Sequence, residues 1–131
     1  GSFIWNRKFN EIMKTKEEVI KKLLNFSGVY LDYPFGDAEW AVLRHTQNKK
    51  SYALIFERQN NVWINVKLEP TFSHMIKETY SSVVPAYHMN KEHWVSIIAD
   101  GSMTDDEIYS LVSVSYDLTN VKEPKSSKKV K

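Results

Sequence analysis

The chain has 131 residues, of which 42% are hydrophobic and 13% aromatic, a composition typical of one folded domain and not of a disordered protein. It contains no cysteine, which excludes disulfides, zinc–cysteine sites and thiol catalysis. No apolar run reaches the roughly 20 residues that a membrane span needs, and no signal-peptide pattern opens the chain, so we expect a cytoplasmic protein without a membrane partner.

The net charge of +2 is unevenly distributed along the chain. Residues 122–131 hold five lysines and one glutamate, so the rest of the chain has 13 basic and 15 acidic side chains and a net charge of −2. Domains that bind duplex DNA are usually strongly basic, and this balance argues against tight DNA binding by the folded body. Residues 121–131 are predicted to form a disordered Lys-rich tail, which is either simply solvated or acts as an electrostatic arm for phosphates.

Residues 1–14 are predicted to be an extension that precedes the domain. Gly1-Ser2 resembles a remnant of cloning, and Met13 is a candidate natural start. The domain is predicted to span residues 15–120.

The first helix of the domain is marked by its start signal. Thr15 is followed three residues later by Glu18, which is the spacing of a capping box. Gly28 is predicted to end this helix. Between the capping box and Gly28, four apolar residues share one helical face: Val19, Ile20, Leu23 and Leu24.

A turn over residues 32–36 precedes three runs with strand character, at residues 39–46, 51–58 and 62–68. Short polar connections between them predict two hairpins. In the third run Val62, Ile64, Val66 and Leu68 alternate with Trp63, Asn65 and Lys67. The alternation predicts that the first set faces the core and the second faces solvent.

The second half of the chain adds two helices and one or two strands. Pro70 suits the first turn of a helix that ends near Tyr80, with Phe72, Met75, Ile76 and Tyr80 as its buried stripe. Residues 95–99 read as a strand, with a shorter one within residues 84–88. A second capping box, Thr104 with Glu107, opens a helix whose inner face is Ile108, Leu111, Val112, Ser115 and Leu118 or Thr119.

These elements predict an α+β fold, in which an antiparallel sheet has helices packed on one face in the order α-β-β-β-α-β(β)-α. The segment between the helix that ends near Tyr80 and the strand at residues 95–99 has the sequence Pro-Ala-Tyr-His-Met-Asn-Lys-Glu-His-Trp, residues 85–94. Together with Asp-Tyr-Pro-Phe-Gly at residues 32–36 and Ala-Val-Leu-Arg-His at residues 41–45, it resembles the MmcQ/YjbR family of small bacterial proteins. The resemblance implies a YjbR-like fold, described as CyaY-like or secretion-chaperone-like, and a DNA-binding function.

The resemblance also implies a double-wing motif at the hairpin tips, residues 46–51 and 58–62. In this interpretation basic side chains contact DNA phosphates without reading sequence. The candidates are Arg44, Lys49, Lys50, Arg58, Lys67 and Lys91, with Trp63, Tyr87 and Trp94 as stacking or apolar supports. Arg44, Lys67 and Lys91 are alternatively expected to converge on one phosphate or carboxylate. The second tip departs from the motif, because Arg58 is its only charge.

The alternative is a module that binds a protein or small ligand through the open aromatic sheet face and the His88–Trp94 loop. His88, Asn90 and His93 are then loop or pocket residues. Their structural interpretation is that the two histidines bond main-chain groups, that Asn90 caps a turn, and that the loop holds Trp94 against the core. We predict no metal site, because no third ligand accompanies the histidines. No catalytic constellation or cofactor signature is present, so we predict no enzyme activity and no cofactor.

Overall fold

A six-stranded antiparallel sheet with three helices organises the part of the chain that the computed structural model describes, residues 15–121. The predicted extension at residues 1–14 and residues 122–131 of the predicted tail lie outside the described residues. The predicted α+β class with an antiparallel sheet is confirmed.

The elements follow one another in the order α-β-β-β-β-α-β-β-α. The helices are α1 (Lys16–Leu23), α2 (Pro70–Thr79) and α3 (Asp105–Thr119). The strands are β1 (Val29–Asp32), β2 (Ala41–His45), β3 (Ser51–Arg58), β4 (Asn61–Lys67), β5 (Val83–Pro85) and β6 (Trp94–Ala99). Within the sheet the strands lie in the order β1-β2-β3-β4-β6-β5, so β3 and β4 are central.

A β-bulge in the β2–β3 hairpin shapes the core side of the sheet. Leu43 is paired with Ala53 and Arg44 with Ser51, so Tyr52 is the extra residue between them. Because the bulge interrupts the alternation of side chains, both Tyr52 and Ala53 lie fully buried in the main core cluster.

The three helices contribute to one core against one face of the sheet. Both predicted capping boxes are present, with Thr15 and Thr104 as N-caps of α1 and α3. The inner face of α3 is Ile108, Leu111, Val112, Ser115 and Thr119, as predicted with Thr119 rather than Leu118 as its last member. The buried set on β4 is also as predicted: Val62, Ile64, Val66 and, just after the strand, Leu68.

An aromatic clamp joins α3 to the connection between α1 and β1. The ring of Phe26 stacks between Tyr109 and Tyr116, with centroid distances of 4.9 and 4.7 Å. The two tyrosine hydroxyls donate to the main-chain oxygens of Asn25 (2.9 Å) and Ser27 (2.6 Å). The Tyr52 hydroxyl donates to the carbonyl of Leu23 (2.7 Å), so three hydroxyls satisfy carbonyls at the end of α1 and in the connection that follows it.

Three details of the predicted fold are wrong. The predicted order lacks β1, an edge strand paired with β2 from Val29↔His45 to Asp32↔Val42. α1 ends at Leu23, before Gly28, whose φ of 67° instead serves the turn into β1. Met75 is 52% exposed, because the buried residues of α2 are Ser73 and Ile76 with Phe72 and Tyr80 partly covered.

Candidate functional site

The second face of the sheet is covered by the loop that joins β5 to β6. The Tyr87 N–H donates to the Ser96 hydroxyl (2.9 Å), and the side-chain amide of Asn65 donates to the Tyr87 carbonyl (3.1 Å). A short hydrogen bond from the Ser96 hydroxyl to the Asn65 side-chain oxygen completes the network. Trp63 and Asn65 are therefore buried, at 5% and 0% exposure, and the prediction that they face solvent is wrong.

Asn90 organises the far end of this loop. Its side-chain oxygen accepts from the N–H groups of Glu92 (2.9 Å) and His93 (3.1 Å), and its carbonyl accepts from Trp94 (3.0 Å). The predicted turn cap at Asn90 is thus confirmed. The prediction that imidazoles fix the loop is wrong, because within residues 15–121 neither His88 nor His93 makes a side-chain hydrogen bond.

Trp94 does not belong to the main core cluster. It starts β6, opposite Lys67 of β4, and is half-buried. Trp94 is also not among the partly buried hydrophobic residues that pack against this cluster, so the prediction that the loop holds Trp94 against the core is wrong. The loop instead packs Tyr87 over the middle of the sheet face.

Aromatic rings from three parts of the chain form a continuous group under and beside Tyr87. Phe56 of β3 stacks on Trp40 with a centroid distance of 4.1 Å and on Tyr87 at 5.6 Å. The His88 ring lies 4.0 Å from Tyr87 and 6.4 Å from Trp40. His88 is exposed and has φ of 62°, a left-handed conformation that is uncommon for residues other than glycine, although histidine adopts it more often than most. Such backbone positions concentrate at functional sites.

Arg58, at the end of β3, lies against this aromatic group. Its guanidinium carbon is 4.3 Å from the ring centroid of Tyr87 and 4.8 Å from that of Trp63, both within cation–π range. The Trp63 indole N–H donates to the Arg58 carbonyl (2.9 Å), which fixes the main chain beneath the side chain. Among residues 15–121, no carboxylate forms a salt bridge with Arg58.

A cleft of about 590 Å³ opens beside Arg58. It is lined by Lys16, Ala38, Glu39, Trp40, Phe56, Glu57, Arg58, Tyr87 and His88. The Lys16 ammonium donates to the carbonyls of Ala38 (2.5 Å) and Glu39 (2.7 Å), and so holds the segment before β2 at the rim. The volume is in the range of small-molecule sites.

The structure does not gather the predicted phosphate contacts into one surface. Lys49 and Lys50 are exposed in the β2–β3 turn, whereas Arg58 lies at the opposite end of β3. At about 3.3 Å per residue, the ends of this strand are roughly 23 Å apart. Arg44 is engaged by Asp32 (2.8 Å) and by the Lys49 carbonyl (3.0 Å), so its guanidinium is committed to the fold.

The remaining basic candidates lie on the strand and loop around β6. Lys67 ends β4 and is half-buried, and its N–H donates to the Ser115 hydroxyl (2.9 Å). Lys91 is exposed in the turn capped by Asn90. Because Arg44 is already paired with Asp32, the expected convergence of Arg44, Lys67 and Lys91 on one anion is not supported by this geometry.

Six residues that line the cleft were missing from the predicted site: Lys16, Ala38, Glu39, Trp40, Phe56 and Glu57. Phe56 could have been found, because strand alternation places it on the same face as Arg58. Trp40 continues the alternation of side chains in β2, but it lies before the strand in an exposed segment. Lys16 reaches the rim of the cleft from the start of α1. Their proximity depends on tertiary packing.

Residues 15–121 lack two features that would indicate particular classes of function. No helix there is long and apolar enough to cross a bilayer. In the same residues no group of three His, Asp or Glu side chains is placed to hold a metal ion.

Comparison with known proteins identifies relatives along most of the chain. The model of the YjbR family matches residues 24–118. YyaQ of Bacillus subtilis is 35% identical over 118 residues, which is 82% of this chain and 99% of that protein. YbdF of Escherichia coli O157:H7 is 32% identical over 102 residues, covering 77% of this chain and 81% of YbdF.

Solved structures show the same fold. A crystal structure of a Pseudomonas syringae protein has a TM-score of 0.71 and 28% identity, covering 80% of this chain and 98% of the other. A Deinococcus radiodurans protein has a TM-score of 0.74 at 22% identity, covering 91% of this chain and 90% of the other, and this likeness concerns the fold alone.

Proposed function

The chain belongs to the YjbR family, and from the geometry of its loop-covered sheet face we propose that it is a binding protein, not an enzyme, whose ligand occupies the cleft beside Arg58. The observation that carries this proposal is the half-buried Arg58, whose guanidinium lies against Tyr87 and Trp63 without a carboxylate partner in residues 15–121. A guanidinium in this position is partly stripped of water and keeps donors for an anion.

The surrounding contacts favour a preformed site over an incidental surface arginine. Asn65 and Ser96 fix Tyr87 by hydrogen bonds, and Trp63 fixes the main chain of Arg58. Sites held by such supporting contacts lose less conformational entropy when a ligand binds. The proposal adopts the alternative interpretation of the sequence, because the predicted basic contacts, all within residues 15–121, lie at opposite ends of β3 and form no continuous stripe across the two hairpins.

The test is an NMR titration of the full chain with small carboxylates and phosphates, following main-chain and indole N–H signals. We expect the largest shifts at Trp40, Arg58, Tyr87 and His88. Arg58→Gln should abolish them, whereas Lys50→Gln, a cation change at the other end of β3, should leave them unchanged. Shifts that persist in Arg58→Gln, or that centre elsewhere, would contradict the proposal.

DNA binding is the second candidate, and one observation favours it. Lys49 and Lys50 are exposed in a turn that is tied to the end of α3, because the Asn48 amide donates to the carbonyls of Thr119 and Val121, both at 3.0 Å. The Lys-rich residues 122–131 follow Val121 directly in the sequence. Lysines from the turn and from this segment would together supply weak, sequence-independent phosphate contacts. Both candidates assume a cytoplasmic protein.

A DNA titration at several salt concentrations tests this candidate. Each phosphate contact adds about −0.9 to the slope of log K against log salt. We expect truncation after Val121 and Lys49→Gln/Lys50→Gln each to flatten the slope, with Arg58→Gln as a control that does not. Equal binding by the truncated and full chains would exclude the Lys-rich segment as the DNA contact.

A further inference from the structure

We infer that the ligand of the cleft is a flat, ring-bearing compound with a single anionic group. The inference rests on the proposed function and narrows it, because it names the class of ligand. Two independent features of the cleft support the inference: the aromatic rings that form its wall, and the balance of charged side chains that line it.

The wall of the cleft is aromatic. Trp40, Phe56 and Tyr87 form a column of stacked rings, of which Phe56 is buried while Trp40 and Tyr87 remain partly exposed to the cleft. Partly exposed flat rings favour a flat apolar partner, since stacking adds to the burial of apolar area. Phe35 lies beside the column, 64% exposed and with its ring edge-on to Trp40 at 6.5 Å, and supplies further apolar surface.

The charges of the lining set a limit on the ligand's charge. Of the two long cationic side chains, Lys16 already donates to two carbonyls, whereas the Arg58 side chain has no hydrogen-bond or salt-bridge partner within residues 15–121. Glu39 and Glu57 are exposed and also line the cleft. Lys16 and Arg58 balance the charges of Glu39 and Glu57, so the lining has no excess positive charge for a polyanion, and the free donors of one guanidinium suit one anionic group.

The experiment uses four probes and the full chain, with dissociation constants measured by calorimetry and NMR. Indole-3-acetate carries both the flat ring and one carboxylate. Indole-3-acetamide keeps the ring without charge, cyclohexylacetate keeps the charge without a flat ring, and tripolyphosphate is a polyanion. We expect indole-3-acetate to bind about tenfold or more tightly than each of the others, as a charge-assisted hydrogen bond and ring stacking both predict.

Three variants show how much the anionic group and the flat ring of the ligand each contribute to binding. Arg58→Gln should remove the preference for the acid over the amide, and Trp40→Leu should remove the preference for indole over cyclohexyl. Glu57→Gln changes an exposed side chain and should strengthen tripolyphosphate binding. Lys50→Gln is the matched control and should change nothing. Thermal melting of each variant shows that it is folded, and the Glu57 variant keeps the test valid if Trp40→Leu unfolds.

The outcomes separate this inference from the proposed function. If cyclohexylacetate or tripolyphosphate binds at the cleft as tightly as indole-3-acetate and in an Arg58-dependent way, the cleft is a binding site but the inferred ligand class is wrong. If none of the anions perturbs the cleft at millimolar concentration, both the proposed function and the inference are wrong.

Discussion

The side-chain amide of Asn65, which is fully buried in the middle of β4, donates a hydrogen bond to the main-chain carbonyl of Tyr87 over 3.1 Å. This bond joins the central part of the sheet to the loop that crosses it. The same asparagine accepts from Ser96, whose oxygen accepts in turn from the Tyr87 N–H. Both main-chain polar groups of Tyr87 are thereby satisfied inside the protein, which is what allows a loop to lie over an apolar sheet face.

We expect Asn65→Ala to lower the free energy of unfolding by about 2–3 kcal/mol, because it leaves the Tyr87 carbonyl and the Ser96 hydroxyl without their partner. Urea unfolding followed by far-UV circular dichroism measures this. Asn25→Ala is the matched control, since Asn25 is exposed and bonds through its main chain. A loss below about 0.5 kcal/mol, the usual range for surface changes, would show that the loop does not depend on Asn65.

The two tryptophans near the loop should differ in their contributions to stability. Trp63 is 5% exposed and packs against Phe56, so Trp63→Ala is expected to cost about 3–5 kcal/mol. Trp94 is half-buried outside the main core, and Trp94→Ala should cost about 1–2 kcal/mol. Chemical unfolding of both variants under one set of conditions tests the order, and equal losses would contradict it.

We predict that the buried imidazole of His45 makes the stability of the protein depend on pH. Its Nε2 lies 2.7 Å from the Thr119 hydroxyl, which itself donates to the Ser115 carbonyl (2.8 Å), so Nε2 carries the hydrogen of the neutral ring. Burial lowers the pKa of His45 below its ordinary value of 6.5, and the nearby main chain of Tyr116 opposes this shift more weakly. The native state therefore keeps His45 neutral at pH values where the unfolded chain binds a proton.

Because the unfolded chain binds more protons, we expect stability to be fully present above pH 6.5 and to fall as the pH drops below it. Unfolding free energies should be measured between about pH 7 and pH 5.5, above the range in which ordinary carboxylates titrate. His45→Gln should show a flatter dependence over the same interval, whereas His93→Gln, which changes an exposed imidazole, should not. A steeper or unchanged dependence in His45→Gln would exclude His45 as the source.

The clamp around Phe26 gives a prediction about single hydroxyl groups. Tyr116→Phe removes the donor to the Ser27 carbonyl but leaves the stacked ring in place. We expect a loss of about 1 kcal/mol, the net contribution of a typical hydrogen bond. Tyr30→Phe, a hydroxyl change on edge strand β1, is the control, and a similar loss in both variants would show that the clamp bond has no particular role.

The sequence predicted the elements whose signals are local. The capping boxes at Thr15 and Thr104, the bounds of β3 and the inner face of α3 follow from spacing alone, and the structure confirms them. β1 was missed because four residues directly before a turn form a strand only through pairing with β2. The register of an edge strand is therefore a tertiary property that local propensity does not contain.

The site was harder to predict, because its residues come together through the crossing loop. Trp63 and Asn65 alternate with core residues, and such alternation normally marks a solvent-facing side. The loop that covers them, residues 86–93, lies more than twenty residues further along the chain. Arg58 was predicted as a hairpin-tip phosphate contact, whereas the structure places its side chain over Tyr87, a neighbour that no sequence spacing reveals.

The three carbonyls that accept from tyrosine hydroxyls also bear on the order in which the chain can fold during synthesis. Two of the three donors, Tyr109 and Tyr116, lie on the last helix, more than 80 residues after their acceptors. A nascent chain that has not yet released α3 from the ribosome therefore leaves the exposed carbonyls of Asn25 and Ser27 to water, and Phe26 without its two stacking partners. The connection after α1 should therefore become ordered late, only after translation has passed Tyr116.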